Sequence, residues 1–148
     1  MINSDLKARQ LSVFLENRAG CLAEVIHLLA AAGINLRAIS LADTSDFGIL
    51  RFVADDPDKA EDALRQEGLN IGHTSVVAVE MPDRPGALDA ILASLASQDV
   101  NVEYMYSLVP RSAAQCVLIF RFDKMDRAID LLLAARARVI PAMEIRNL

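Results

Sequence analysis

Asn17-Arg18-Ala19-Gly20-Cys21-Leu22 returns as Asp83-Arg84-Pro85-Gly86-Ala87-Leu88, and Gly33-Ile34-Asn35 returns at the same spacing as Asp99-Val100-Asn101. Lys59-Ala60 then reappears as Arg127-Ala128, two positions further on, which places a longer turn in the second copy at Pro110-Arg111-Ser112-Ala113-Ala114. An internal duplication decides the architecture before any single motif does, because each copy must build the same supersecondary unit.

Around each glycine the apolar pattern changes period. Leu11, Val13 and Leu15 alternate before the first turn, as Val77, Val79 and Met81 do before the second, which is the period of a half-buried strand. After it, Leu22, Val25, Ile26 and Leu29, matched by Leu88, Ile91, Leu92 and Leu95, follow the spacing of one helical face. Asn35–Ala42 and Phe47–Ala54 are predicted as a strand pair joined by the polar turn Asp43-Thr44-Ser45-Asp46, with counterparts at Asn101–Val109 and Cys116–Phe122. A second helix is predicted from Pro57, with Asp56 as N-cap and Gly68 as terminator, and again over Met125–Ala137. Closing strands are predicted at Asn70–Ser75, running into Val76, and at Val139–Ile145. The expectation is an α+β protein with a lead-in at 1–9 and two βαββαβ modules in tandem at 10–75 and 76–148, each an antiparallel sheet with both helices on one face. Val117, Ile119 and Ile49 should face away from the helices, so that second face also needs cover.

The composition narrows the partners. Fifteen Lys and Arg against twenty Asp and Glu give a formal charge of −5, which opposes nucleic-acid binding. A mean hydropathy of +0.29 is high for a small chain and points to a homodimer. Cys21 and Cys116 form no CxxC, so neither a disulfide framework nor a metal site is expected, and a reduced, cytoplasmic setting fits. No apolar run approaches the roughly 20 residues that span a bilayer, and no cofactor is implied.

The twin turns, each with Asn or Asp, a basic residue and glycine between a strand and a helix, and each followed by an asparagine opening the next strand, resemble the ACT family. Ala42-Asp43-Thr44-Ser45-Asp46-Phe47-Gly48 is also similar to stand-alone tandem ACT proteins. The resemblance covers Gln10 to about Ile145. It implies ferredoxin-like βαββαβ modules, a regulatory and non-catalytic role, a free amino acid as ligand, and an enzyme of amino-acid metabolism as the partner in trans. In members that bind an amino acid, the turn Asn and the Asn opening the second strand touch the ligand, which implies Asn17, Asn35, Asp83 and Asn101 here. A histidine two residues before the turn Asn, present in one type of member, is replaced by Leu15 and Met81, which argues against serine-like specificity.

Physical reasoning leads to the same turns. A zwitterion needs amide donors and oxygen acceptors side by side. Gly20 and Gly86 allow close backbone approach, and the helix starts that follow, Cys21-Leu22 and Ala87-Leu88, offer N–H groups to a carboxylate. The Asn17 carboxamide both donates and accepts, whereas Asp83 favours an ammonium. Arg18, Ala19 and Arg84 complete the expected ligand set. The idea requires Asn17 and Asn35 to face one cavity. Competing readings make Asn17 and Asp83 turn caps, Asn35 and Asn101 turn residues, and Cys21 a small packing residue. Two further functions compete: an interaction subunit that docks on a biosynthetic enzyme without a ligand, and an acylphosphatase-like hydrolase using Arg18 with Asn35. The second lacks the glycine-rich phosphate cradle, since Leu15-Glu16-Asn17 stands there. His27 and His73 lie far apart in sequence and are read as surface or packing residues, and Asp55, Asp56 and Asp58 suit a helix start better than a calcium loop.

Overall fold

A computed structural model describes residues 3–43, 46–108 and 114–148. The chain forms two compact units, one of Arg9–Thr74 and one of Ser75–Leu148 together with the N-terminal residues through Ala8.

In the first unit β1 (Ala8–Glu16) leads through the glycine turn to α1 (Cys21–Ala31), β2 (Leu36–Asp43), β3 (Phe47–Ala54), α2 (Pro57–Gln66) and the start of β4 (Ile71–Pro82). β3 pairs antiparallel with both β1 and β2, placing Val13 opposite Leu50 and Leu50 opposite Leu41. The Phe14 N–H donates to the Asn70 carbonyl at 3.2 Å, which sets β1 beside the chain entering β4. Leu11, Val13, Leu15, Leu50 and Phe52 bury one sheet face against Val25 and Leu29 of α1 and Ala60 and Leu64 of α2. Each of these buried valine, leucine and phenylalanine side chains stabilises the fold by about 1.5–3 kcal/mol.

The second unit repeats the plan. The rest of β4 pairs with β6 (Gln115–Phe122), which pairs with β5 (Val102–Ser107), while α3 (Ala87–Ala96) and α4 (Met125–Ala134) cover one face. Phe120 and Phe122 stack at 5.2 Å in its core. Even irregularities recur: a bulge between Leu36 and Ala38 in β2 has its match between Val102 and Tyr104 in β5. The expected second helix of the first unit is present, with Asp56 Oδ1 accepting from the Lys59 N–H at 3.2 Å and Pro57 opening the helix.

Three expectations need correction. The buried stripe of α1 is Cys21–Val25–Leu29, whereas Leu22 is 36% exposed. Cys21 takes the first buried position of the stripe in place of Leu22, while Val25 and Leu29 stay buried as expected. The helix expected to reach Ala137 ends at Ala134, where Arg136 adopts φ 59°. The closing strand of the second unit is only β7 (Arg138–Ile140), paired with β4, because Pro141 lacks an N–H for the ladder and instead caps α5 (Ala142–Arg146). The turn expected at Pro110–Ala114 lies, apart from Ala114, outside the described residues, as do Thr44 and Ser45.

The polar run Asn3–Leu6 forms a 3-10 turn that packs on the second unit. Leu6 enters that core, and Lys7 pairs with Asp126 of α4 at 2.8 Å. On the sheet faces turned away from the helices, Val117 and Ile119 are buried while Ile49 is half-buried. Phe14, opposite Ile49, is 49% exposed and Phe47 is 56% exposed.

Candidate functional site

Each unit has a cavity at the same place, where the first strand ends, the following helix begins and the second helix runs out. In the first unit its volume is about 310 Å³, with Arg18, Cys21 and Glu24 on one side and Glu67 and Leu69 on the other. In the second it is about 770 Å³, with Arg84, Gly86 and Ala87 facing Ala135, Arg136 and Ala137. Both volumes suit a small metabolite.

The turns that border these cavities are built alike. Gly20 and Gly86 adopt φ 92° and 91°, a left-handed conformation that a side chain would strain. No side chain caps either helix start, so the first-turn amides are not covered by a cap. The Asn17 N–H donates to the Asp46 carbonyl at 3.0 Å, and the Asp83 N–H to the Ala114 carbonyl at 3.0 Å, so each turn is pinned to the start of β3 or β6.

The structure does not bring Asn35 and Asn101 to these turns. The Asn35 N–H donates to Asp55 Oδ1 at 3.0 Å, and the Asp55 N–H donates back to the Asn35 carbonyl at 3.0 Å. Asn101 and Asp123 repeat the exchange at 2.9 and 3.1 Å. Asp46 precedes β3 and Asp55 follows it, so within one unit Asn17 and Asn35 lie at opposite ends of an eight-residue strand, about 26 Å long at 3.3 Å per residue. The expected common niche of Asn17 and Asn35 is therefore absent from the unit, and so is an Arg18–Asn35 pair for an acylphosphatase-like reaction. Among the expected ligand residues, Arg18 and Cys21 border the first cavity, and Arg84, Gly86 and Ala87 the second. Asn17, Ala19, Gly20 and Leu22, like Asp83 and Leu88, belong to the turns and helix starts without lining the cavities.

Electrostatics separates the copies. Arg18 Nε donates to Glu16 Oε2 at 2.9 Å, and this contact, with the Cys21 sulfur and Glu24 adding attraction, raises the arginine's pKa above its ordinary value. At the position of Glu16 the second unit has Pro82, which cannot pair with Arg84. Arg138 Nε instead donates to Glu80 Oε2 at 2.6 Å, and its Nη2 donates to Glu144 Oε1. Sequence reasoning missed the far wall of each cavity, above all Arg136 and Arg138. The duplication held the signal, since these arginines replace Gly68 and Asn70 of the first copy.

The other polar groups have structural duties. Cys21 is buried, Asp56 caps α2, Asp55 holds Asn35, and Arg9 bridges Asp58 and Glu61. His27 and His73 are exposed. Among the described residues no three potential metal ligands gather, and no helix is long and apolar enough to cross a membrane.

A family model for the ACT domain pair matches residues 6–148. Protein BT0572 from Bacteroides thetaiotaomicron is 38% identical, with a TM-score of 0.92 over 97% of this chain and 98% of its own. The ligand-free regulatory subunit of aspartate kinase from Thermus thermophilus is 19% identical, with a TM-score of 0.62 over 88% of this chain and 93% of that one. The corresponding subunit from Thermus flavus is 20% identical at a TM-score of 0.61, over 89% and 94% of the two chains. These two likenesses establish a shared fold. No curated protein matches the chain.

Proposed function

The chain belongs to the ACT domain pair family, and from that premise we propose that it is a non-catalytic regulatory protein that senses a free amino acid. The observation that carries this reading is the recurrence of a cavity at one repeat-related position in both units, each bordered by the turn arginine, Arg18 or Arg84. An amino acid carries a carboxylate that a guanidinium and a helix start both favour. Its ammonium finds acceptors in Glu24 and Glu67 of the first cavity or Glu80 of the second. A ligand of about ten heavy atoms, at a few tenths of a kcal/mol to one each, binds in roughly the micromolar to millimolar range, which suits a metabolite pool.

The protein acts as a homodimer in this reading, with a second copy covering the exposed Phe14 and Phe47. The high mean hydropathy supports that arrangement. Regulation of an amino-acid-metabolism enzyme in trans belongs to the same reading, and the fold shared with regulatory subunits of aspartate kinase supports it.

Thermal denaturation with each of the twenty amino acids tests the reading. A ligand at 100 times its Kd adds about 2.7 kcal/mol and raises the melting temperature. A melting temperature unmoved by all twenty would leave only the ligand-free docking subunit.

A further inference from the structure

We infer that the cavity of the second unit selects amino acids bearing a second carboxylate, while its counterpart in the first unit rejects them. This rests on the reading that the cavities are ligand sites, and it states which chemical class enters which one.

The two cavities have opposite charge at equivalent positions. Glu16, Glu24 and Glu67 surround the single Arg18 in the first. Their places in the second fall to Pro82, Ala90 and Ala135, while Arg84, Arg136 and Arg138 border the space with Glu80 as the one carboxylate. Loss of two glutamate side chains at Ala90 and Ala135 also widens the opening, in keeping with about 770 Å³ against about 310 Å³.

The guanidiniums are not equally committed. Arg138 is held by Glu80 and Glu144. Arg18 is held by Glu16. Among the described residues the side chains of Arg84 and Arg136 make neither an ion pair nor a hydrogen bond. Two uncommitted guanidiniums and one carboxylate on a single cavity match two carboxylates and one ammonium on a ligand. Each guanidinium can bind a carboxylate through two parallel N–H donors, and Glu80 offers an oxygen to the ammonium.

Arg136 sharpens the case because a glycine would serve the backbone better there. It sits at φ 59°, where the first unit has Gly68 at φ 74°. The turn closes equally well around glycine, so the arginine's contribution lies in what its side chain does at the cavity.

Isothermal titration of the wild-type protein with L-glutamate, L-aspartate, L-glutamine and L-asparagine tests the inference. One acidic amino acid is expected to bind at least tenfold more tightly than its amide. Arg136→Gly, which gives the turn the residue used at Gly68, is expected to weaken that binding at least tenfold without lowering the melting temperature. Ala135→Glu, which restores the first unit's carboxylate at an exposed position, is expected to do the same. Equal affinity for acid and amide, or for wild type and both variants, overturns the inference and leaves the sensing role standing. Binding of neither acidic amino acid overturns the inference, and a thermal panel unmoved by all twenty amino acids removes the sensing role as well.

Discussion

Asn35 and Asp55 exchange two hydrogen bonds, with the Asn35 N–H reaching Asp55 Oδ1 at 3.0 Å and the Asp55 N–H reaching the Asn35 carbonyl at 3.0 Å. The Asn35 contribution is entirely backbone, whereas Asp55 spends its carboxylate. Asp55→Ala is therefore expected to destabilise the protein by about 1 kcal/mol, and Asp123→Ala to do likewise in the second unit. Chemical denaturation measures both. Asn35→Ala keeps both bonds, so its effect on the amino-acid response is a clean readout. A retained response favours the cavities at Arg18 and Arg84, and a lost one restores the contact that the family resemblance implies.

Much of this architecture was legible because the duplication doubles every signal. Alternation in Leu11–Leu15 and Val77–Met81, and the glycines at 20 and 86, locate strand, turn and helix twice over. The cap at Asp56 is local chemistry and is equally readable. What escaped is non-local. The meeting of the Glu67–Leu69 segment with the Arg18 turn depends on how α2 packs beside α1, which no periodicity reports. The distance between Asn17 and Asn35 was hidden for the opposite reason: they are close in a motif but sit at the two ends of one hairpin strand. Leu6 is hidden by its polar neighbours, and the apolar run on either side of Pro141 masks the proline that ends the last strand.

Leu6 is only 2% exposed and joins the core of Val79, Phe120 and Ile129 from the far N-terminus. Truncating it leaves a void that nearby side chains fill only in part. Leu6→Ala is expected to cost about 2–4 kcal/mol. The loss should appear in urea denaturation followed by a probe in the second unit, and an effect below about 0.5 kcal/mol would show that the turn Asn3–Leu6 is not docked.

The Lys7–Asp126 pair makes this attachment sensitive to pH. Hydrogen bonding from Lys7, followed by the charge of the same lysine and a bond from Asn3, lowers the Asp126 pKa below its ordinary 3.8. A lowered folded-state pKa means the contribution is complete above the unfolded value and is lost as pH falls through the folded one. Glu61, lowered chiefly by its bond from Arg65, behaves alike in the first unit. Acidification below about pH 4 should thus weaken the Lys7–Asp126 attachment and the Arg65–Glu61 pair within α2. In a carboxylate NMR titration Asp126 should protonate below an unperturbed aspartate, and Lys7→Met should return it to the ordinary range.

Self-association turns on the sheet face of the first unit. Phe14 and Ile49 are direct cross-strand partners, and Phe47 pairs with Glu16 one step further along. Half-exposed phenylalanines on a strand face lose contact with water when a second copy covers them. Replacing Phe14 and Phe47 by Asp is expected to shift the protein from dimer to the monomer mass of 16.1 kDa in sedimentation equilibrium. Wild-type protein that sediments as a monomer at high micromolar concentration would end the dimer reading.

Gly68 and Arg136 close their helices with the same pair of bonds. The Gly68 N–H reaches Arg65 and the Leu69 N–H reaches Leu64, as Arg136 reaches Leu133 and Ala137 reaches Leu132. Only the residue in the left-handed position differs, and an L side chain there costs about 1 kcal/mol relative to glycine. Arg136→Gly should therefore raise the melting temperature by about 2–4 °C, while Gly68→Ala should lower it by a similar amount. A ligand that engages the Arg136 guanidinium reverses the order: the wild type gains more from a saturating acidic amino acid than Arg136→Gly does, so the two melting temperatures converge or cross as ligand is added. Parallel ligand shifts in the two proteins would mean that the arginine stabilises nothing that binds in the cavity.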